Sequence, residues 1–165
     1  MRLARAHIWQ VPRLAAILWA ATRATPGRPC ARSHADDLAL LWRETWRGRV
    51  RVARARVRQP VRGRIAGFLM RRETRLHALY VAPRWRGRGA GRALLSEAQA
   101  RAGALDLWVL EENTRARAFY RRAGFAEAEQ DRRGGGNDEG LPDIRMIWRD
   151  DVWREDVWRN GEARA

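Results

Sequence analysis

The feature that most restricts the fold of this chain is a glycine-rich run, Arg86-Gly87-Arg88-Gly89-Ala90-Gly91, between two segments of different periodicity. The residues from Leu76 to Val81 predict a strand, and those from about Gly89 to Ala102 predict a helix that ends at Gly103. A loop with few side chains lets consecutive backbone N–H groups approach an anion, and the helix start adds unpaired donors and partial positive charge. The run therefore predicts a phosphate-binding turn.

Two common phosphate-binding folds do not fit this run. No Gly-Lys-Ser or Gly-Lys-Thr follows the glycines, which excludes a P-loop. A dinucleotide-binding fold places its loop after the first strand of a repeated crossover series, with an acidic residue about twenty residues on. Here an antiparallel hairpin is predicted first, and Asp106, which has nearly that offset, lies inside the next predicted strand.

Two amphipathic helices are predicted in the N-terminal part. The first begins near Pro12, and its apolar residues Leu14, Ile17, Leu18 and Ala21 have helical spacing. The second runs from about Ala35 to Arg47, with a capping signal from Ser33 and Asp36 and an end at Gly48. Its predicted inward stripe consists of Leu38, Leu41, Trp42 and Thr45.

The following residues predict strands. Arginine alternates with valine and alanine from Arg49 to Arg58, and a change of phase at Val52-Ala53 indicates a bulge. A turn from Gln59 to Gly63 leads into a second strand, Arg64 to Met70, which gives an antiparallel hairpin. The strand, loop, helix and strand from Leu76 to Leu110 predict two parallel neighbours.

The C-terminal part is predicted to close the sheet. A helix is expected from Asn113 to a left-handed cap at Gly124, followed by an antiparallel pair, Phe125 to Glu129 and Asp143 to Trp148. After Trp148 a charged tail carries an imperfect five-residue repeat with tryptophans. We interpret this tail as a marginal helix or a disordered extension.

Composition limits the class of protein. A chain of 165 residues fits one domain, and its net charge of +15 favours anionic partners, among them coenzyme phosphates and, less favoured, nucleic acid. Cys30 is the only cysteine, so an internal disulfide and a CxxC metal site are excluded and a reducing cytoplasm is expected. The apolar run from Leu14 to Ala21 is too short for a signal peptide or a membrane span.

Two motifs in order resemble those of the GNAT (Gcn5-related N-acetyltransferase) family. The stretch from Leu76 to Leu95 is similar to its motif A, with the [Q/R]-x-x-G-x-[G/A] signature at Arg86, Gly89 and Gly91. Glu112 to Phe125 is similar to motif B. Residues 137–145 are similar to the closing hairpin of a bacterial subgroup.

This resemblance implies a fold and a division of the chain. The expected fold is a single α/β domain of the acyl-CoA N-acyltransferase type, with a mixed, largely antiparallel central sheet flanked by helices. Residues 1–148 would form this N-acetyltransferase domain, and residues 149–165 would be the charged extension.

The resemblance also implies a cosubstrate, acetyl-CoA, and the residues that contact it. Leu79 and Val81 would bond the pantetheine arm through their backbones, a nearby N–H would stabilise the tetrahedral oxyanion, and the glycine loop would hold the pyrophosphate. Asn113 is left open between a cofactor contact and a helix cap. The full expected cofactor-binding set is Leu79, Tyr80, Val81, Arg86, Gly87, Arg88, Gly89, Ala90, Gly91, Arg92, Asn113 and Phe119.

The expected proton transfers use two different kinds of residue. Tyr120 matches the family's usual general acid, since a phenol with a reference pKa of about 10 is protonated at neutral pH. The position that often carries a glutamate base is Arg75 here. The base is left open among His77, Glu73 and water, and no metal is expected.

The acceptor is expected to be a primary amine on a small molecule or a peptide. Asp138 and Glu139, in a glycine-rich loop, are either a site for a cationic amine or a solvated loop. Transfer of another acyl group, a non-catalytic acetyl-CoA-binding module and a basic nucleic-acid-binding protein remain alternatives, and a homodimer is allowed.

Overall fold

A computed structural model describes residues 1–23, 33–55, 64–131 and 141–150. Their contacts group them into two compact units. The first comprises Met1–Arg72 and Leu76–Leu95, and the second comprises Glu73–Arg75 with the described residues from Ser96 onward. In the described part of the chain, no helix is long and apolar enough to cross a membrane.

The strands of the first unit follow the order β1-β2-β3-β4. They are β1 (Arg2–Arg5), β2 (Val50–Arg54), β3 (Ile65–Arg72) and β4 (Arg75–Val81). The first residue of β4, Arg75, is assigned to the second unit, and the rest of the strand belongs to the first. β2 pairs antiparallel with both β1 and β3, which confirms the predicted hairpin. The register shifts between Ala53 and Arg54, beside the predicted bulge. β1 was not predicted, because a run of four residues carries no measurable alternation.

Two helices of the first unit bury apolar residues in one core. They are α1 (Val11–Thr22) and α2 (His34–Trp46), both as predicted from their spacing. Leu14 and Ile17 of α1 are almost fully buried and belong to the same cluster as Phe68 of β3. The hydrophobic effect at this one face accounts for the position of α1, since its helical spacing places the two side chains together.

The predicted inward stripe of α2 is half wrong. Leu41 and Thr45 are buried, but Leu38 is 36% and Trp42 is 51% exposed. The Trp42 ring instead stacks on Trp46, with ring centroids 5.7 Å apart. The capping prediction is confirmed: Ser33 Oγ accepts a hydrogen bond from the Asp36 N–H at 3.1 Å.

The core position that apolar spacing missed is Glu44, whose side chain is fully buried. Arg72 donates to both of its carboxylate oxygens, and Arg49 and Arg43 donate to one each. These hydrogen bonds, Arg72 first, lower the pKa of Glu44 from 4.5 to about 2 although burial opposes them. A buried carboxylate is tolerated only with such partners, and here the abundant arginines provide them.

The second unit has three strands in the order β5-β7-β6. They are β5 (Ala104–Leu110), β6 (Ala126–Asp131) and β7 (Asp143–Arg149), and β7 pairs antiparallel with both neighbours. This confirms the predicted closing pair. The predicted parallel pairing is present where Arg75 pairs with Asp106.

Two helices complete the described structure. α3 (Ala90–Gln99) begins in the first unit and ends in the second, and α4 (Thr114–Arg122) belongs to the second. Short 3₁₀ turns lie at Ile8–Gln10 and Pro83–Trp85. Several sequence expectations fall outside the described residues: the turn at 59–63, Cys30, the acidic loop with Asp138 and Glu139, and the tail from residue 151.

Candidate active site

β4 lies between β3 and β5 in the strand order, and its pairing with β5 is at Arg75, four residues before Leu79. Leu79, Tyr80 and Val81 lie at its C-terminal end and are partly buried. The Tyr80 ring packs against Phe68 with centroids 5.6 Å apart. Side chains thus hold the strand to the core while backbone groups at its edge can bond an extended ligand.

A glycine that the sequence reasoning missed fixes the distance between β3 and β4. A Cβ atom at Gly67 would lie 2.5 Å from the carbonyl oxygen of Tyr80 and 3.1 Å from the Val81 Cα. Ala82 N–H donates to Ala66 O at 2.8 Å beside this contact. A glycine inside a buried strand was the available signal, because it often marks a close approach of another backbone.

We expect Gly67→Ala to destabilise the protein by about 1–3 kcal/mol, because the added methyl group must displace backbone rather than a flexible side chain. The segment that the methyl group would displace is Tyr80–Val81. Thermal unfolding measures the effect. An unchanged Tm would show that β4 is not held at this distance.

The glycine loop that follows β4 has an unusual backbone. Gly87 and Gly89 have φ angles of 72° and 79°, in the left-handed region that glycine adopts without strain. Among the described residues, no atom lies within 4 Å of a Cβ built at either glycine. Glycine is therefore favoured at both positions by the left-handed φ angle, and not because neighbouring atoms leave no room for a side chain.

The loop and the start of α3 leave backbone donors open. α3 begins at Ala90, and its first bond across the boundary is Ala93 N–H to Gly89 O at 2.9 Å. Within the described ranges, no protein acceptor is recorded for the N–H groups of Gly87, Gly89, Ala90, Gly91 and Arg92. Open N–H groups at a helix start favour an anion such as a pyrophosphate.

Cations surround the same loop. The guanidinium groups of Arg84 and Arg88 lie 6.0 and 5.4 Å from the centre of the Trp85 ring, which packs on the first unit's core. Arg86 is partly buried, and Arg88 and Arg92 are exposed. The buried Trp85 Nε1 has no acceptor in the part of the chain that the structure describes. The predicted loop residues are thus brought together in a donor-rich, cationic turn that fits a phosphate group.

In the second unit, α4 holds the predicted motif B residues. Asn113 Oδ1 accepts the Ala116 N–H at 3.1 Å, so this residue caps the helix. The partly buried Tyr120 ring contacts Phe119 and Phe125, with centroids 5.2 and 5.5 Å away. Tyr120 O also accepts the N–H groups of Ala123 and Phe125. The Tyr120 ring is thus packed between two aromatic rings, and its backbone carbonyl helps to end α4.

The two candidate bases, His77 and Glu73, and Arg75 at the expected base position have different surroundings. His77 is exposed on β4, in the first unit. Glu73 lies in the turn before β4 with a φ of 50°, so the strand alternation that would place it on the face of His77 does not reach it. Arg75, where glutamate was expected, has its Nε 2.6 Å from Asp106 Oδ2 in the second unit.

Comparison with known proteins identifies the class of the fold. The arrangement of strands and helices is that of acyl-CoA N-acyltransferases, as predicted. Residues 46–127 match the family model described as an acetyltransferase (GNAT) domain. The chain belongs to the GNAT acetyltransferase family.

Relatives with matching sequence are named N-acetyltransferases. An uncharacterized N-acetyltransferase of Methanocaldococcus jannaschii is 39% identical over 70 residues, covering 39% of this chain and 31% of that protein. One of Mycobacterium tuberculosis is 40% identical over 73 residues, covering 38% of this chain and 47% of the relative. The matches thus span 31% and 47% of the length of these two relatives.

Solved structures share the fold at low identity. The ribosomal-protein-alanine N-acetyltransferase from Brucella melitensis has a TM-score of 0.68 and 22% identity, over 90% of this chain and 99% of that one. The putative acetyltransferase yncA from Salmonella typhimurium, solved with its cofactor acetyl-CoA, has a TM-score of 0.66 and 18% identity, over 90% and 93% of the two chains. At these identities the likeness establishes the fold.

Proposed function

We propose that this protein is an N-acetyltransferase that moves the acetyl group of acetyl-CoA to a primary amine of a small molecule, a protein N-terminus or a lysine. The observation that carries the proposal is the turn after β4, where Gly87 and Gly89 adopt left-handed φ angles and the start of α3 presents open N–H groups. This turn suits a pyrophosphate, which coenzyme A contains. The structure of yncA with acetyl-CoA supports the same cosubstrate in this fold.

The proposed reaction is direct attack through a tetrahedral intermediate. The amine nitrogen bonds to the thioester carbon, and the carbonyl oxygen becomes an oxyanion that a backbone N–H of Leu79–Val81 would stabilise. Collapse of the intermediate breaks the C–S bond. The departing thiolate takes the phenolic proton of Tyr120, and the amine gives its proton to His77 or to water.

The pantetheine arm would lie along the edge of β4 that faces away from β3. Peptide groups of Leu79 and Val81 would bond it, while the loop from Arg86 to Arg92 holds the phosphates. Asn113 caps α4 through its oxygen. Its amide N–H₂ group would donate to the cofactor, and Phe119 would contact the same molecule.

Thiol release from acetyl-CoA tests this proposal across a panel of small amines, lysine peptides and peptides with free N-termini. Acceptor-dependent release supports it. Acetyl-CoA binding without release to any acceptor would instead favour a non-catalytic binding module. Salt-dependent nucleic-acid binding without acetyl-CoA binding would favour the nucleic-acid alternative.

The pyrophosphate assignment predicts the effect of Gly89→Ala. An alanine at a φ of 79° costs about 1–2 kcal/mol and turns the local N–H groups. We expect the KM for acetyl-CoA to rise about tenfold with little change in kcat, since a loss of about 1.4 kcal/mol in binding is a tenfold change. Acetyl-pantetheine, which lacks the pyrophosphate, is the matched control substrate. An equal rise in KM for acetyl-CoA and for acetyl-pantetheine would contradict the pyrophosphate assignment.

A further inference from the structure

Two guanidinium groups of the second unit meet at one buried carboxylate. The Nε atoms of Arg75 and Arg145 lie 2.6 and 3.3 Å from the same oxygen, Oδ2 of Asp106. Asp106 is only 7% exposed. The sheet fixes the position of Asp106. Arg75 is its partner in the parallel pairing, and the Asp106 N–H donates to Thr74 O at 2.9 Å.

Both arginine side chains are partly exposed to solvent. The side chains of Arg75 and Arg145 are 37% and 36% exposed, and each guanidinium has five N–H donors. Glu129, whose side chain is 57% exposed, lies 3.7 Å from Nη1 of Arg145. A carboxylate already approaches this guanidinium, so a ligand carboxylate would fit there in its place.

The charges and the neighbouring residues favour an organic anion. Asp106 balances one of the two guanidinium charges, and the exposed Glu129 is screened by water and contributes little. Trp108 is the cross-strand partner of Arg145, and alternation places it on the face of Asp106. An indole across the strand pair from Arg145 offers contact to the carbon chain next to an anionic group.

We propose that Arg75 and Arg145 bind a carboxylate of the acceptor, so that the acceptor class is an amine carrying a separate carboxylate, as amino acids and short peptides do. This inference rests on the proposed function. Arg75 lies four residues before Leu79 in β4. By resemblance to the GNAT family, this is the position that often carries a glutamate. The exchange reverses the charge there, from one that attracts a cation to one that attracts an anion.

The test compares acetyl transfer to a series of ω-amino acids of increasing chain length with transfer to their carboxamides. At the best chain length, the wild-type protein should have a KM about tenfold lower or better for the acid than for the amide, because charge-assisted bidentate bonds are lost with the amide. Arg75→Lys and Arg145→Lys keep a cation beside Asp106 but lose the planar fork. Each should raise the KM for the acid about tenfold and leave the KM for the amide unchanged.

Arg149→Lys is the matched control, since Arg149 is exposed and lies further along β7. It should change neither KM. Equal KM values for acids and amides in the wild type, or an equal rise for both in the two variants, would overturn the carboxylate site while leaving the acetyltransferase intact. Absence of transfer to every acceptor, including the peptides, would instead overturn the proposed function on which the site rests.

Discussion

Tyr120→Phe is expected to lower kcat for acetyl transfer by about 100-fold or more, with the KM for acetyl-CoA nearly unchanged. General acids contribute about 10²- to 10⁴-fold, and the variant removes the phenolic proton that the departing thiolate would take. The ring contacts with Phe119 and Phe125 do not involve the hydroxyl, so phenylalanine can keep them. Steady-state kinetics with a saturating acceptor measure the effect.

The dependence on pH separates acid catalysis from a packing role for Tyr120. The wild type and the variant should differ in the alkaline part of the kcat profile, because the variant has no proton donor at this position. Thermal unfolding checks that the fold is kept. A loss below tenfold with the same alkaline profile would mean that water protonates the thiolate.

Glu44→Gln is expected to lower the free energy of unfolding by about 2–3 kcal/mol at neutral pH. A lowering of the pKa from 4.5 to about 2 corresponds to about 3 kcal/mol, and the half-exposed arginines, which water can solvate, reduce the loss. For a chain of this size the Tm should fall by roughly 5–10 °C. Denaturant unfolding measures the difference.

The sign of the pH dependence follows from the direction of the shift. The folded-state pKa of Glu44 is below the unfolded one, so its stabilisation is fully present above about pH 5 and is lost as the pH falls toward 2. The wild type should therefore lose this stability on acidification, and Glu44→Gln should lack that component. Glu127→Gln is the matched control, because Glu127 pairs with Arg117 and Arg121 at the surface and should cost less than about 1 kcal/mol. Equal losses in both variants would contradict the assignment.

Local patterns were sufficient for most elements. Helical spacing predicted α1, the Ser33 signal predicted the start of α2, and glycines predicted the ends at Gly48 and Gly124, which have φ angles of 71° and 87°. Each of these features depends on neighbours within a few residues, so it can be predicted from the sequence. β1 could not be predicted in this way, because a four-residue strand gains its stability from pairing with β2.

In the site, too, features set by nearby residues were predicted, and features set by distant residues were not. The order of the glycine loop, Asn113 and Tyr120 indicated the family, and the loop does have the left-handed glycines that an anion-binding turn requires. The partners of Arg75 were not readable, since Asp106 and Arg145 are 31 and 70 residues away in the chain. Only strand pairing brings those three side chains to one point.

The sequence by itself determined the family and predicted an anion-binding turn and acetyl transfer, because these depend on residue types at short spacing. The tertiary structure decided that Glu44 is a core residue, that Trp42 is exposed, and that Gly67 sets the position of β4. These outcomes depend on which distant arginines and backbone atoms meet each residue. Burial of a charge or close approach of two strands is a property of such contacts, and no local pattern contains it.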